Sequence, residues 1–228
     1  KFSEIAQSTA GILNKARVSF STLGASEWCC GNPLLSTGQY QLAREMARHN
    51  VEDIKRRGVK QVLVSCPGCY KTFKQDYPKL LGMSELPFQV THSSQLFHRL
   101  SSERRISFRE TSKEVLTYHD PCELGRLSGI YEQPRELIQQ IPRIRLVEMD
   151  RSRERAWCCG GGGAVKMTYP NQASKVALVR LKEAESCGVT GIVSNCPTCK
   201  WNLSDNLKLA GSGLKVIDLS ELVHSSLK

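Results

Sequence analysis

The residues most able to do chemistry are cysteines, and they are written into the chain twice. Cys29-Cys30-Gly31 and Cys66-Pro67-Gly68-Cys69 recur as Cys158-Cys159-Gly160 and Cys196-Pro197-Thr198-Cys199, 129 and 130 residues further on. A single Cys-x-x-Cys is ambiguous among a zinc clip, a cluster ligand and a redox disulfide. Placed after a strand and before a helix, Cys-Pro-x-Cys has the form of a dithiol exchange pair, whose thiolate a helix N-terminus favours. Such an enzyme needs one pair and has no use for a repeated Cys-Cys-Gly upstream of it. Structural zinc wants a closed tetrahedron of four ligands. An adjacent Cys-Cys pair serves that poorly, because neighbouring side chains diverge. Adjacent thiolates suit a polynuclear core, and all-thiolate ligation fits iron–sulfur chemistry. Zinc stays open as the alternative, above all in the first half.

The second half carries one ligand candidate more. Tyr118-His119-Asp120-Pro121-Cys122-Glu123-Leu124-Gly125-Arg126 places Cys122 ahead of Cys158, whereas the matching position of the first repeat falls before residue 1. The expectation is a sequence that begins after the first strand of the first repeat and its cysteine, or a first site that is natively degenerate. The repeat extends to the flanks: Trp28 and Trp157 each precede a Cys-Cys pair, and Gly58-Val59 before Cys66 matches Gly188-Val189 before Cys196. Residues 90–96 are echoed by residues 217–222. Two homologous domains follow, 1–110 and 111–228.

Each repeat reads as alternating strands and helices, hence an α/β fold built from two Rossmann-like domains, each a small parallel sheet with covering helices. Strands are expected at residues 18–23, 62–65, 115–118, 146–149, 192–194 and 216–219. Helices are expected at 39–57, from Cys69 to about Tyr77 before Pro78, at 173–185 and at 198–209. Cys66, Cys122 and Cys196 directly follow strands, and Cys158-Cys159 follows one by a short loop. The carboxyl ends of parallel strands are where open α/β sheets gather their sites, so one edge of each sheet should collect thiols from remote segments.

These motifs are the residues of a resemblance. Both halves resemble the cysteine-rich CCG domain found in the B-type and D-type subunits of heterodisulfide reductase and in related iron–sulfur oxidoreductases. The resemblance covers essentially the whole chain, and residues 119–126 and 157–163 look most like the D-type branch. It implies an iron–sulfur oxidoreductase subunit, with Cys122, Cys158, Cys159, Cys196 and Cys199 binding a non-cubane four-iron four-sulfur cluster, and with Gly160 and Gly161 beside it. Cys29, Cys30, Cys66 and Cys69 are then metal ligands for a second cluster or zinc. The implied work is reductive cleavage of a disulfide, or a relay of electrons such as that between a flavoprotein dehydrogenase and quinone. The implied partners are ferredoxin-like or flavoprotein redox subunits. D-type members also have a ferredoxin-type domain upstream; none lies within these residues, which places that role on truncated sequence or on a partner.

Other residues are weighed against plainer roles. Gly160 to Gly163 lack the Gly-Lys-Ser/Thr ending of a phosphate loop, since Lys166-Met167 follows. They read better as backbone approaching sulfur closely, with N–H groups that raise a cluster's potential. His119 is a candidate proton donor to a leaving thiolate, although with Asp120 it more often fixes a loop. Trp28 and Trp157 read as packing shields, Lys200 and Arg126 as candidates to attract an anionic substrate, and Cys187 as an inert core thiol at a helix end. The net charge of +10 is spread out, without aromatic platforms or nucleic-acid motifs, which argues against nucleic-acid binding. No apolar run is long enough to span a bilayer, and the start lacks a secretory signal. The expected setting is cytoplasmic, either free or docked to a membrane-bound complex.

Overall fold

The structure, a computed structural model, describes residues 2–228. The first half runs α1 (Ser3–Lys15), α2 (Asn32–Ser36), α3 (Tyr40–Arg56), β1 (Gln61–Val64), α4 (Pro67–Lys71), α5 (Tyr77–Leu81), β2 (Gln89–His92) and α6 (Ser93–Ser102). The second runs β3 (Glu114–His119), α7 (Glu132–Gln139), β4 (Ile144–Leu146), α8 (Val165–Thr168), α9 (Pro170–Ser186), β5 (Gly191–Ser194), α10 (Pro197–Ala210), β6 (Lys215–Asp218) and α11 (Leu219–Ser225). β1 and β2 pair in parallel, and the second sheet has the order β4-β3-β5-β6 with every pair parallel. Parallel neighbours need crossover connections, which the helices supply. The repeat seen in the cysteines is therefore a repeat of structure: β1 corresponds to β5, β2 to β6, α1 to α7, α3 to α9, α4 to α10 and α6 to α11.

Three expected elements differ. Residues 18–23 form no strand. Their counterpart β4 hydrogen-bonds only to β3, and no described residue of the first half occupies the place of β3, so a strand at 18–23 would have no neighbour to bond. β4 itself covers Ile144–Leu146 rather than 146–149. Val147 N–H still donates to the Leu116 carbonyl at 2.8 Å, and the Glu148 side chain beyond it accepts from Arg135 Nε at 2.6 Å. Finally, the helix after Cys69 does not stop before Pro78. It passes through a π-helical turn, Thr72–Asp76, into α5, with Pro78 in that segment's first turn. The π-helical turn just before Pro78 is where this continuous helix departs from the α ladder to accommodate a residue with no N–H to donate.

Helices α1, α6, α7 and α11 form the join between the halves. α1 packs on α11 and α6 on α7, so each half lends two helices, each seated on one helix of the other. Their inner faces and the second sheet share one apolar core that includes Ile12, Phe97, Leu100, Leu116, Leu137 and Val223. Two further cores underlie the cysteine segments, one per half.

The joining helices α6 and α11 start alike. The His92 side chain caps α6 by accepting from the Ser94 N–H, and Asp218 caps α11 by accepting from the Ser220 N–H at 2.8 Å. Gln95 and Glu221 reach back to the N–H groups of His92 and Asp218, completing reciprocal capping boxes. Asp218 is fully buried, and burial pushes its carboxyl up to about 7. The unfolded chain holds this proton less tightly, so the stabilisation is complete below about pH 4 and is lost as pH rises through about 7. Asp218→Asn keeps an oxygen for Ser220 and abolishes the ionisation. Urea unfolding should find it close to the parent at pH 4 and more stable at pH 8, by on the order of a few kcal/mol.

Candidate metal centre

In each half the carboxyl ends of the strands bring the sulfurs together. Cys66 and Cys196 hold extended backbone at the cap positions of α4 and α10, so that Cys69 and Cys199 follow within the first turn. The Cys-Cys-Gly segments arrive from the loops ahead of α2 and α8. Both turn through a left-handed glycine, Gly31 at φ +84° and Gly160 at φ +85°, a conformation that favours glycine. At Gly160 the requirement is also steric. A Cβ there would lie 2.7 Å from Val176 Cβ and 2.9 Å from the Ala173 carbonyl.

The thiols act on one another in unbroken chains. In the second half, Cys158 is held well below the usual thiol range by the thiols of Cys122 and Cys159 hydrogen-bonding to it. Cys199 is pushed far up by donating to Cys159 and Cys196. The order Cys122, Cys158, Cys159, Cys199, Cys196 is thus continuous. The first half repeats it without the leading member: Cys30 is lowered by Cys29 and Cys69, and Cys69 is raised by Cys30 and Cys66. All ten cysteines are free thiols. Backbone N–H groups also aim at the sulfurs, Gly160 at Cys158 Sγ (3.3 Å), Gly161 at Cys159 Sγ (3.4 Å) and Gly31 at Cys29 Sγ (3.5 Å).

The second set is the more enclosed. Cys159, Cys196 and Cys199 are buried, whereas Cys29 is exposed. A ring nitrogen of His119 and the sulfurs of Cys159 and Cys199 lie within 4.8 Å of one another. His119 is fully buried, and burial, helped by the Arg180 charge, pushes its imidazole down to about 3. Its Nδ1 accepts from Arg180 Nε at 3.1 Å, so the neutral ring carries its proton on Nε2.

Several residues that hold the site were not singled out in the sequence. Asn202, fully buried, donates to the carbonyls of Cys159 (2.7 Å) and Ala173 (2.9 Å). Asn50 does the matching service for the Cys29 carbonyl at 3.1 Å. Arg180 stands on α9 where α3 has Asn50. Asp120 is gripped by both Nη atoms of buried Arg135, at 2.7 and 2.8 Å, which fits its loop-fixing role. The only foreshadowing of these partners is a polar residue on an otherwise apolar helix face.

Other expectations are redrawn. Trp28 and Trp157 are 48% and 42% exposed, so they are not buried shields: Trp28 stacks on His49, and the Arg151 guanidinium lies 3.9 Å from the Trp157 ring centroid. Lys200 is paired with Glu221, and Arg126 donates to the carbonyl of Ala156. Lys200 is thereby neutralised, whereas Arg126 is exposed and, among the described residues, makes no ion pair. Cys187 caps the end of α9 with its thiol against the Glu183 carbonyl at 3.3 Å, apart from both thiol chains.

A site of this composition fits an iron–sulfur cluster on its own terms. Five crowded sulfurs cannot all ionise without a cation to take their charge, and the groups around them offer N–H donors rather than more ligands of hard oxygen type. Comparison with known proteins agrees. The CCG cysteine-rich domain family matches residues 1–74 and 116–204, and the chain belongs to that family. The D-type subunit of the dihydromethanophenazine:CoB–CoM heterodisulfide reductase of Methanosarcina barkeri is 43% identical over 98% of the chain. The EtfAB:quinone oxidoreductase of Syntrophomonas wolfei is 29% identical over 100% of it. The B-type subunit of the fumarate reductase (CoM/CoB) of Methanothermobacter marburgensis is 30% identical over 86%. The chain spans 55%, 32% and 38% of those three proteins.

The scaffold around the second set is open to a direct check. Asn202→Ala leaves two buried carbonyls without donors and should lower stability by about 3 kcal/mol. Denaturant unfolding of the purified chain measures it, and an unchanged midpoint would contradict the role given to this amide.

Proposed function

We propose that this chain is an iron–sulfur electron-transfer subunit of an oxidoreductase complex, with Cys122, Cys158, Cys159, Cys196 and Cys199 holding a non-cubane four-iron four-sulfur cluster. The observation that carries the reading is the meeting of remote segments at one sheet edge. There the sulfurs of Cys159 and Cys199 lie within 4.8 Å of each other and of a His119 ring nitrogen, and the Gly160 and Gly161 N–H groups aim at the sulfurs of Cys158 and Cys159. Cys29, Cys30, Cys66 and Cys69 form the corresponding set in the first half and hold a second cluster or zinc. The two halves serve as domains 1–110 and 111–228, one site to each.

When bound, such a cluster supplies single electrons to a disulfide or to a redox partner. The protein's own residues prepare the place. The Gly160 and Gly161 N–H groups stabilise negative sulfur and favour the reduced state. His119 offers a fixed N–H; as a neutral, buried imidazole with Nδ1 occupied by Arg180, it orients and stabilises a thiolate rather than serving as a ready acid. Burial of Cys159, Cys196 and Cys199 keeps water from the inner sulfurs.

The heterodisulfide reductase relative supports reduction of a small disulfide, with electrons delivered by a ferredoxin-like or flavoprotein partner. The quinone oxidoreductase relative supports a second reading, a relay between a flavoprotein dehydrogenase and quinone. A zinc-bound assembly protein is the alternative of another class. No described helix is long and apolar enough to cross a membrane. The setting we infer is cytoplasmic, docked to a larger complex.

Iron and acid-labile sulfide analysis of anaerobically purified protein separates these readings. The expected protein is brown and contains both. Cys159→Ser should remove the iron and the paramagnetic signal of the second site, while Cys187→Ser should leave both intact. A colourless protein with stoichiometric zinc would refute the cluster.

A further inference from the structure

Glu123, the residue after Cys122, reaches out of its own half. Its Oε1 accepts from Asn32 Nδ2 at 2.8 Å, and the same amide donates to the Gly68 carbonyl at 3.2 Å. Asn32 follows Cys29-Cys30-Gly31, and Gly68 lies between Cys66 and Cys69. The carboxylate is thus seated on the turn that carries the first thiol set while its backbone neighbour belongs to the second. Gly68 makes the room: a Cβ there would stand 2.9 Å from Glu123 Oε2 and 2.9 Å from Asn32 Nδ2.

The repeat shows that this seat is particular to one side. The positions matching Asn32 and Gly68 in the second half are Gly161 and Thr198, where the sizes are reversed and a Cβ on Gly161 would meet Thr198 Cγ2 at 3.3 Å. The loop that brings Glu123 is itself anchored on the first half. Leu124 and Ile130 pack on buried Tyr70, and Gln75 Nε2 donates to the Leu127 carbonyl at 2.6 Å. Among the described residues Glu123 makes no ion pair, so its charge is not cancelled by a neighbouring cation.

We propose that Glu123 is a positioning residue that ties the two thiol sets together and, through its unpaired charge, lowers the reduction potential of the centre held by Cys122. The proposal rests on the cluster assignment above. A negative charge beside an electron-accepting group disfavours the added electron, and more so where the surroundings are only partly wet. The hydrogen bond to Asn32 fixes the distance at which that charge acts and keeps the Cys66–Cys69 turn in register with Cys122.

The test uses the whole chain, purified anaerobically, with iron and sulfide content measured first. Absence of iron from the parent would refute the cluster reading itself and is distinguishable from any failure of this one. Midpoint potentials are then read by titration monitored by electron paramagnetic resonance. Glu123→Gln keeps the size of the side chain and an oxygen for Asn32 but removes the charge. With iron content unchanged, it should raise the midpoint of the second-half centre by about 59 mV or more, a tenfold shift in a one-electron equilibrium. Glu123→Asp keeps the charge and should return the midpoint towards the parent. Asn32→Ala, which releases the carboxylate, should give a rise smaller than that of Glu123→Gln. An unchanged midpoint in Glu123→Gln, or loss of iron from that variant, overturns the proposal.

Discussion

Sulfurs pressed together in a protein interior repel one another once charged, and nothing else in this fold is arranged around so costly a demand. The parallel sheets meet it by delivering loops to one edge, where helix starts and glycine turns point N–H groups rather than carbonyls at the thiols. A metal core supplies the remaining charge. The other way to relieve the repulsion is for neighbouring thiols to share protons: Cys158 is held down by its neighbours, while Cys122, Cys159 and Cys199 are pushed up. One lowered thiol among raised neighbours is what a chain of donors gives when too few of its members can ionise at once.

The surroundings of the two thiol sets have diverged although their backbone has not. Both use a left-handed glycine, and both tie a Cys-Cys carbonyl to a buried asparagine. Yet Asn50 on α3 is replaced on α9 by Arg180, which fixes the His119 tautomer and pairs with Glu183 at 2.6 Å. Cys29 has its carbonyl held by Asn50 but is itself exposed. The second set is consequently the more enclosed of the two, and the first the more accessible.

The cysteine repeat was legible because ligand spacing is local: Cys-Cys-Gly and Cys-Pro-x-Cys announce their own geometry. So were strands such as 192–194, buried on both faces and rich in β-branched residues. What escaped depends on partners distant in sequence. Residues 18–23 have the composition of a strand but no neighbour to bond, and the Glu148 side chain just past β4 is held by Arg135. Pro78 falls inside a helix without ending it, because the ladder has already relaxed into a π-helical turn just ahead of it. Helices α1, α6, α7 and α11 are short or only partly amphipathic by themselves, and their packing faces have meaning only once the halves meet. Asn202, Arg180 and Glu123 are ordinary surface residue types until the fold buries or seats them.

The crossed packing of α1 on α11 and α6 on α7 has a consequence for ancestry. A surface on which α1 meets the repeat-related copy of α6, and α6 meets that of α1, is self-complementary, the form of an isologous contact with a two-fold axis. A single ancestral unit bearing that surface would associate with a second copy of itself, giving two identical sulfur sites on one particle. Joining the copies into one polypeptide frees each side to change without the other. An arginine could then appear on α9 opposite the asparagine of α3, turning a symmetric pair into a device with unlike ends.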